Sequence, residues 1–332
     1  MRRTGCLLCL ALLAGCGRNG SGGREVRLAV GGQAQLVYLP ATLAAQLGYY
    51  CEAGLNVAIQ DFPGGAKSLE ALLGGSVDVV SGFYDHTIQM AAEGRRLEAF
   101  ASMLRYPGFV LAVSPAAQKK IERIEDLKGT VVGVTAPGSS SHFFLNYLLA
   151  KYGLGPDDVS TTGVGSAATA VAAVEHGKVD AAILFDPAVS QLEKRDPRMK
   201  LLVDARTAQG IQEVFGTATY PAAVLYSTAA WVERNPDTAR RLAQAIRRTL
   251  AWIQTHSAEE IMARMPESFR LNDTAVYLEA LRHSRDMFSP DGVIPPEGAA
   301  AVKQVLQLSL PKVRAAGVDL AKTYTNQFVA GK

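Results

Sequence analysis

Three short stretches gather the side chains that could do chemistry. The first is Pro137-Gly138-Ser139-Ser140-Ser141-His142. A glycine there lets the backbone turn, and a serine can cap the helix that follows. Unpaired amides at a helix N-terminus, with hydroxyls beside them, favour an anion such as a carboxylate, sulfonate or phosphate. One serine suffices for a cap, so the run reads equally as a cap or as an anion nest. The second stretch is Pro63-Gly64-Gly65-Ala66-Lys67. Gly64 reads as the turn itself, and Gly65 and Ala66 as amides offered to a ligand. The third is Gly82-Phe83-Tyr84-Asp85-His86. Aromatic side chains on a loop are costly unless they pack on something, so Phe83 and Tyr84 read as the rim of a pocket. Asp85 reads as a ligand contact or as a helix N-cap, and His86, standing alone, as structural.

Catalytic and metal patterns are missing. The chain has no G-x-S-x-G elbow, no Walker A loop, no H-E-x-x-H and no EF-hand run. Ser139–Ser141 beside His142 resembles a nucleophile and base, but neighbours in a helix's first turn do not face each other. Gly163-Val164-Gly165-Ser166-Ala167-Ala168 fits the dinucleotide fingerprint. It follows a short polar strand deep in the chain, so it reads as one more binding loop. No metal, cofactor or catalytic residue is assigned.

These loops need elements to hold them. Val26, Leu28 and Val30 alternate with polar residues, as in a strand with one covered face. Strands are expected at 57–62, 77–80, 97–103, 109–113, 131–134, 160–164, 181–184 and 222–226, separated by helices. Such alternation implies β-α units with helices on both faces of a sheet. In that arrangement ligands sit beyond the carboxyl ends of the strands. The loops there are Gly31–Tyr38, Pro63–Lys67, Ser81–His86, Ala136–His142, Gly163–Ala167 and Phe185–Pro187. The β-α pattern restarts near residue 110 and turns helical after 226. The helical tail needs a face to cover, and the first unit is the expected host. The first lobe is therefore expected to be discontinuous, residues 25–110 with 218–332, and the second to span 111–217.

The N-terminus adds a location. Met1-Arg2-Arg3 is cationic, Cys6 to Ala14 is nearly all apolar, and Leu13-Ala14-Gly15-Cys16 closes the run with small residues. That is the pattern of a secretory signal peptide over 1–15, too short to span a membrane. The Leu-Ala-Gly-Cys ending resembles the bacterial lipoprotein box, which makes Cys16 the lipidated residue and 16–24 a flexible tether. Of four cysteines only Cys51 then remains free of the leader and the lipid, which rules out an internal disulfide. Net charge is +3, and losing Arg2 and Arg3 with the leader brings it to +1. That is not the charge of a nucleic-acid binder.

Four blocks in order resemble one family. They are LPATLAAQLGYYCEAGLNV, FPGGAKSLEALLGGSVDVVSG, IEDLKGTVVGVTAPGSSSHFFLNYLLAKYGL and VEHGKVDAAILFDPAV. Together they resemble the nitrate, sulfonate, taurine and thiamine-precursor branch of ABC-transporter solute-binding proteins. The resemblance implies a two-lobed α/β fold of the type II periplasmic binding proteins, each lobe a mixed sheet flanked by helices. It implies a solute held between the lobes and delivery to an ABC permease and its ATPase. It implies a monomer in the periplasm or at the cell surface, tied to the membrane by lipid. Ligand contacts carried over are Tyr38, Gly65, Ala66, Phe83, Tyr84, Ser139, Ser140, Ser141, His142, Asp186 and, beside the expected strand 222–226 where the chain returns to the first lobe, Tyr220; Asp85 joins them on its own residue type. The serine run points to an anionic organic or sulfonate-like solute, whereas Phe83-Tyr84 suits a pyrimidine or other aromatic ligand. A ligand-sensing lipoprotein and a thiamine-pyrimidine synthase-like enzyme are the rival readings.

Overall fold

The structure is a computed structural model that describes residues 23–270 and 272–330. The leader, Cys16 and most of the tether lie outside the described residues. Ten strands form two sheets. In chain order they are β1 (Arg24–Gly31), β2 (Leu55–Phe62), β3 (Val79–Phe83), β4 (Leu97–Ser102), β5 (Val110–Val113), β6 (Val131–Val134), β7 (Ser160–Gly163), β8 (Ala181–Leu184), β9 (Lys200–Asp204) and β10 (Ala223–Thr228). The helices are α1 (Leu39–Gln46), α2 (Tyr49–Glu52), α3 (Gly65–Leu73), α4 (Asp85–Ala92), α5 (Ser140–Lys151), α6 (Ala168–Glu175), α7 (Ala188–Arg195), α8 (Ala208–Phe215), α9 (Ala229–Arg234), α10 (Pro236–Thr255), α11 (Ala258–Arg264), α12 (Thr274–Ser284), α13 (Pro296–Ser309) and α14 (Pro311–Ala316).

The first sheet has the order β2-β1-β3-β10-β4 and the second β7-β6-β8-β5-β9. Each centres on a short strand that is buried throughout, β3 and β8. Apolar runs of this kind belong between two layers of helices. The sheets are mixed. β1, β2 and β3 run parallel, while β10 runs antiparallel to β3 and β4. The second sheet repeats the scheme, with β6 parallel to β7 and β8 and β5 antiparallel to β8 and β9. The two sheets are the cores of two lobes, each a mixed sheet flanked by helices, as the family resemblance implies.

The helical tail covers both lobes. α10 begins at Asn235-Pro236, and its stripe of Ala239, Leu242, Ala243, Ile246, Leu250 and Ile253 is buried. It packs on α1, α2 and β4 beside the first sheet. The later helices reach further than expected. α12 lies against α7, and α13 lies against both α4 and α5. An apolar stripe states that a face must be covered but not by which neighbour, and here the second lobe supplies part of the cover.

Candidate functional site

The carboxyl ends of strands from both lobes meet at one gap. It is lined by Gly31, Gln35, Tyr38, Gly65 and Phe83 from one side, and by Thr135, Ser139, Ser140, Ser141 and Phe185 from the other. The gap is all but closed, with a cavity of about 10 Å³. Pockets for organic ligands span about 300–1,000 Å³, so a solute enters only if the lobes part. The first side approaches closely at its base. A Cβ on Gly31 would lie 2.6 Å from the Gly65 amide nitrogen, so β1 and α3 can meet there only with glycine. A neighbouring gap joins Gln35 and Thr135 to Gly165, Ser166 and Ala167, which places the Gly163–Ala167 loop beside the cleft. Roomier hollows lie between α5 and α13 and between α7 and α12, away from the strand ends.

The serine run resolves into three separate tasks. None of the three hydroxyls caps α5, although Ser139 occupies the N-cap position. Ser139 Oγ instead accepts the Ala66 amide at 3.0 Å, from the opposite lobe. Ser140 Oγ donates to Asp85 Oδ1 at 2.8 Å, also across the seam. Ser141 Oγ accepts the Thr135 amide at 3.0 Å and pairs with Thr135 Oγ1 at 2.8 Å inside its own lobe. Two hydroxyls therefore tie lobe to lobe, and the third braces the loop. His142 stands back, with its Nδ1 accepting the Gly138 amide at 3.1 Å. Its partial burial lowers its basicity.

Facing the serines is a buried titratable cluster. Asp85 is 4% exposed and starts α4. Burial pushes its carboxyl up to about 7, with the Ser140 hydrogen bond and the His86 amide offsetting part of the rise. Among the described residues no ion pair reaches it within 4.0 Å. Burial, together with the Asp85 charge, raises the phenols of Tyr38, Tyr220 and Tyr226. His86 is fully buried, and its Nδ1 lies 3.2 Å from the Tyr226 hydroxyl. Burial pushes it down to about 4, so it is neutral at pH 7. Above this cluster stands an aromatic wall. Phe83 meets Tyr38, Phe109 and Phe185 at 6.1, 5.4 and 5.8 Å between ring centres. Edge and tilted contacts of this kind stiffen a pocket side.

Some expected contacts sit elsewhere. Tyr84 points away from the gap, and its hydroxyl pairs with Thr323 Oγ1 at 2.6 Å. Tyr220 is buried behind the wall and stacks on Phe215 at 4.4 Å. The Ala66 amide is taken by Ser139. Asp186 is buried, but its oxygens are already satisfied. Ser190 donates to Oδ1 from its amide and hydroxyl at 3.0 and 2.8 Å. Arg206 and Ser284 donate to Oδ2 at 3.0 and 3.2 Å, and the Asp186 carbonyl accepts the Leu36 amide at 2.9 Å. Lining residues not expected individually are Gly31, Gln35, Thr135 and Phe185. Each lies in, or next to, a loop that the strand-end rule picks out.

Comparison with known proteins gives this geometry a setting. The family described as "NMT1/THI5 like" matches residues 35–260. The putative binding protein YtlA of Bacillus subtilis is 23% identical over 291 residues, 83% of this chain and 82% of that protein. The riboflavin-binding protein RibY of Chloroflexus aurantiacus is 24% identical over 93% of this chain and 87% of its own. A 4-amino-5-hydroxymethyl-2-methylpyrimidine phosphate synthase of Schizosaccharomyces pombe is 31% identical, but over 44% of this chain and 40% of its own. Among solved structures, a protein of Bordetella bronchiseptica superposes with a TM-score of 0.89 at 44% identity, covering 92% of this chain and 95% of that one. The alkanesulfonate-binding protein SsuA of Xanthomonas axonopodis, bound to MOPS, superposes with a TM-score of 0.69 at 20% identity, covering 93% and 100%.

Proposed function

The chain belongs to the NMT1/THI5-like family, and we propose that it is an extracytoplasmic solute-binding protein that captures a small organic molecule between its lobes and delivers it to an ABC permease and ATPase. One observation carries this reading. Strand ends and the first turns of α3 and α5 line one gap from both lobes, and the lobes touch beside it through Asp85–Ser140 and Ala66–Ser139. A hinged clamp needs this arrangement, with contacts that a solute can replace. Binding without turnover is supported by the relatives named as binders, which match 83% and 93% of the chain, against 44% to 74% for the pyrimidine phosphate synthases. In this reading residues 1–15 are a cleaved leader, Cys16 carries the lipid, and the protein works as a monomer tied to a membrane outside the cytoplasm. In the same reading residues 25–110 with 218–332 form one lobe and 111–217 the other.

The gap supports two solute classes. The N-terminus of α5, with Ser139 and Ser140, suits a carboxylate or sulfonate, in keeping with the SsuA likeness. Asp85, which among the described residues has no cation partner, holds Ser140 of the gap wall, and Tyr38, Phe83 and Phe185 line the same gap. That suits a flat heteroaromatic ring bearing an N–H donor, such as an aminopyrimidine. Thermal-shift titration with taurine, MOPS, nitrate, riboflavin and 4-amino-5-hydroxymethyl-2-methylpyrimidine separates the classes. A ligand at about 100 times its dissociation constant adds about 2.7 kcal/mol of stability. Absence of any shift, together with unchanged small-angle scattering at saturating solute, would overturn the clamp.

A further inference from the structure

We propose that His86 binds the solute directly, donating a hydrogen bond from Nε2 to an acceptor atom of the captured molecule, such as a ring nitrogen, carbonyl or acid oxygen. The proposal rests on the solute-capture reading. Its starting point is a buried atom without a partner. His86 is fully buried, and Nε2 makes no hydrogen bond. Buried polar atoms normally find partners, and leaving one unpaired is destabilising.

The tautomer follows from the other ring nitrogen. The Tyr226 hydroxyl is buried, 3.2 Å from Nδ1, and Nδ1 is the acceptor within its reach. A buried phenol proton seeks an acceptor, so Tyr226 donates to Nδ1 and the ring proton sits on Nε2. Nε2 is thus a fixed donor in search of an acceptor.

It stands directly behind the gap's wall. A Cβ on Gly65 would lie 3.1 Å from His86 Cε1 and 3.9 Å from both Nε2 and Ser139 Oγ. Gly65 and Ser139 both line the gap, so only the missing Gly65 side chain separates the ring edge from it, and parting of the lobes opens that path to a solute. Across the seam, the Gly138 carbonyl lies near enough to favour a protonated ring, yet it does not complete a hydrogen bond with Nε2. Asp85 is the next residue in the chain and offers an acceptor, whereas His86 offers a donor. The pair reads a ligand that presents donor and acceptor side by side, as an aminopyrimidine edge does. The serines across the seam add further hydroxyls to the same reading.

Calorimetric titration of 4-amino-5-hydroxymethyl-2-methylpyrimidine and of MOPS into the wild type, His86→Phe and His86→Gln tests this. Phenylalanine keeps the ring's shape and removes the donor; glutamine keeps a donor near Nε2. Expected is a loss of tenfold or more in affinity for His86→Phe, and recovery to within about threefold of the wild type for His86→Gln. Equal affinity of the wild type and a folded His86→Phe overturns the proposal. Nitrogen-15 spectra of the histidine side chains supply a readout that needs no solute. An Nε2-protonated His86 supports the donor, and an Nδ1-protonated one overturns it even if both probes bind. If the wild type binds neither probe, the choice of solute classes fails, and the spectra alone decide the histidine's donor role.

Discussion

The two lobes place an aspartate at the same point and use it differently. β3 and β8 are the central strands of sheets with matching orders, and each leads, within a few residues, into a helix, α4 or α7. Asp85 follows the end of β3 by two residues, and Asp186 follows the end of β8 by two. Both are almost wholly buried. Asp186 has Arg206 at 3.0 Å, with side chains 1% and 7% exposed, and Arg206 also holds Asp204 at 2.7 Å. Asp85 has a serine hydroxyl and, among the described residues, no cation. Equivalent position in the fold therefore says where an aspartate could meet a solute. The presence of a counter-ion says whether the protein has already spent it.

The comparison breaks most readily at Arg206. Methionine there keeps much of the bulk but leaves Asp186 buried without a cation. Removing one partner of a buried pair costs about 3–5 kcal/mol, and denaturant unfolding at pH 8 should show a loss of that size. Adding Asp186→Asn should restore a large part of it, because the stranded charge is then gone. A loss near zero for Arg206→Met would mean that Asp186 is no better compensated than Asp85.

The next effect is in pH dependence. Asp85 titrates near 7 in the folded protein and near 4 when unfolded. Between those values the folded state holds the extra proton, so stability falls as pH rises, by about 1.4 kcal/mol per unit at most. His86 titrates at about 4 folded and about 6.5 unfolded. There the unfolded state holds the extra proton, so stability rises with pH over about 4–6.5. The two slopes oppose each other, and the wild type should be nearly flat across that range. Asp85→Asn removes the falling slope, so stability should climb from pH 4 to 6.5 and then level. His86→Gln removes the rising one, so stability should fall from pH 4 to 7. Tyr38, Tyr220 and Tyr226 face Asp85 and stay neutral throughout, since burial raises all three. Parallel curves for the wild type and both variants would show that the pair is solvated and that the contrast with Asp186 is empty.

The sequence made one side of this comparison legible and hid the other. Apolar runs marked β4, β5, β6 and β8 to within a residue, because those strands are buried, whereas β3 was expected at 77–80 and lies at Val79–Phe83. The strand-end rule then picked the loops that line the gap. β9 left no such mark, since Lys200–Asp204 is a five-residue edge strand that is half-buried along its length. Arg206 follows that strand, so the partner that occupies Asp186 was out of sight, and Asp186 read as a ligand contact. Tyr84 misled for a similar reason. Its hydroxyl partner, Thr323, lies 239 residues away in the tail. His86 read as structural because a lone histidine carries no spacing signal; its unpartnered nitrogen exists only once Gly65 and Gly138 are brought beside it.

The smallest effect separates the serines. Ser140 and Ser141 are neighbours on α5, both buried, and each makes hydrogen bonds of similar length. Their partners differ, since Ser140 crosses to Asp85 and Ser141 stays with Thr135. Either change to alanine should cost about 1 kcal/mol of stability, the usual net worth of one hydrogen bond. Only Ser140→Ala should also act on the seam. Its hydroxyl holds the Asp85 carboxyl below the value that burial alone would set. Losing it should move the folded Asp85 titration upward and extend the falling arm of the stability curve above pH 7. A carboxylate or sulfonate at the α5 N-terminus would lose a donor as well, so affinity should drop several-fold, while Ser141→Ala leaves both curve and affinity near the wild type. Should the two alanine variants behave alike in the pH curve, the Ser140–Asp85 bond would not join the lobes, and the unpaired aspartate would owe nothing to the second lobe.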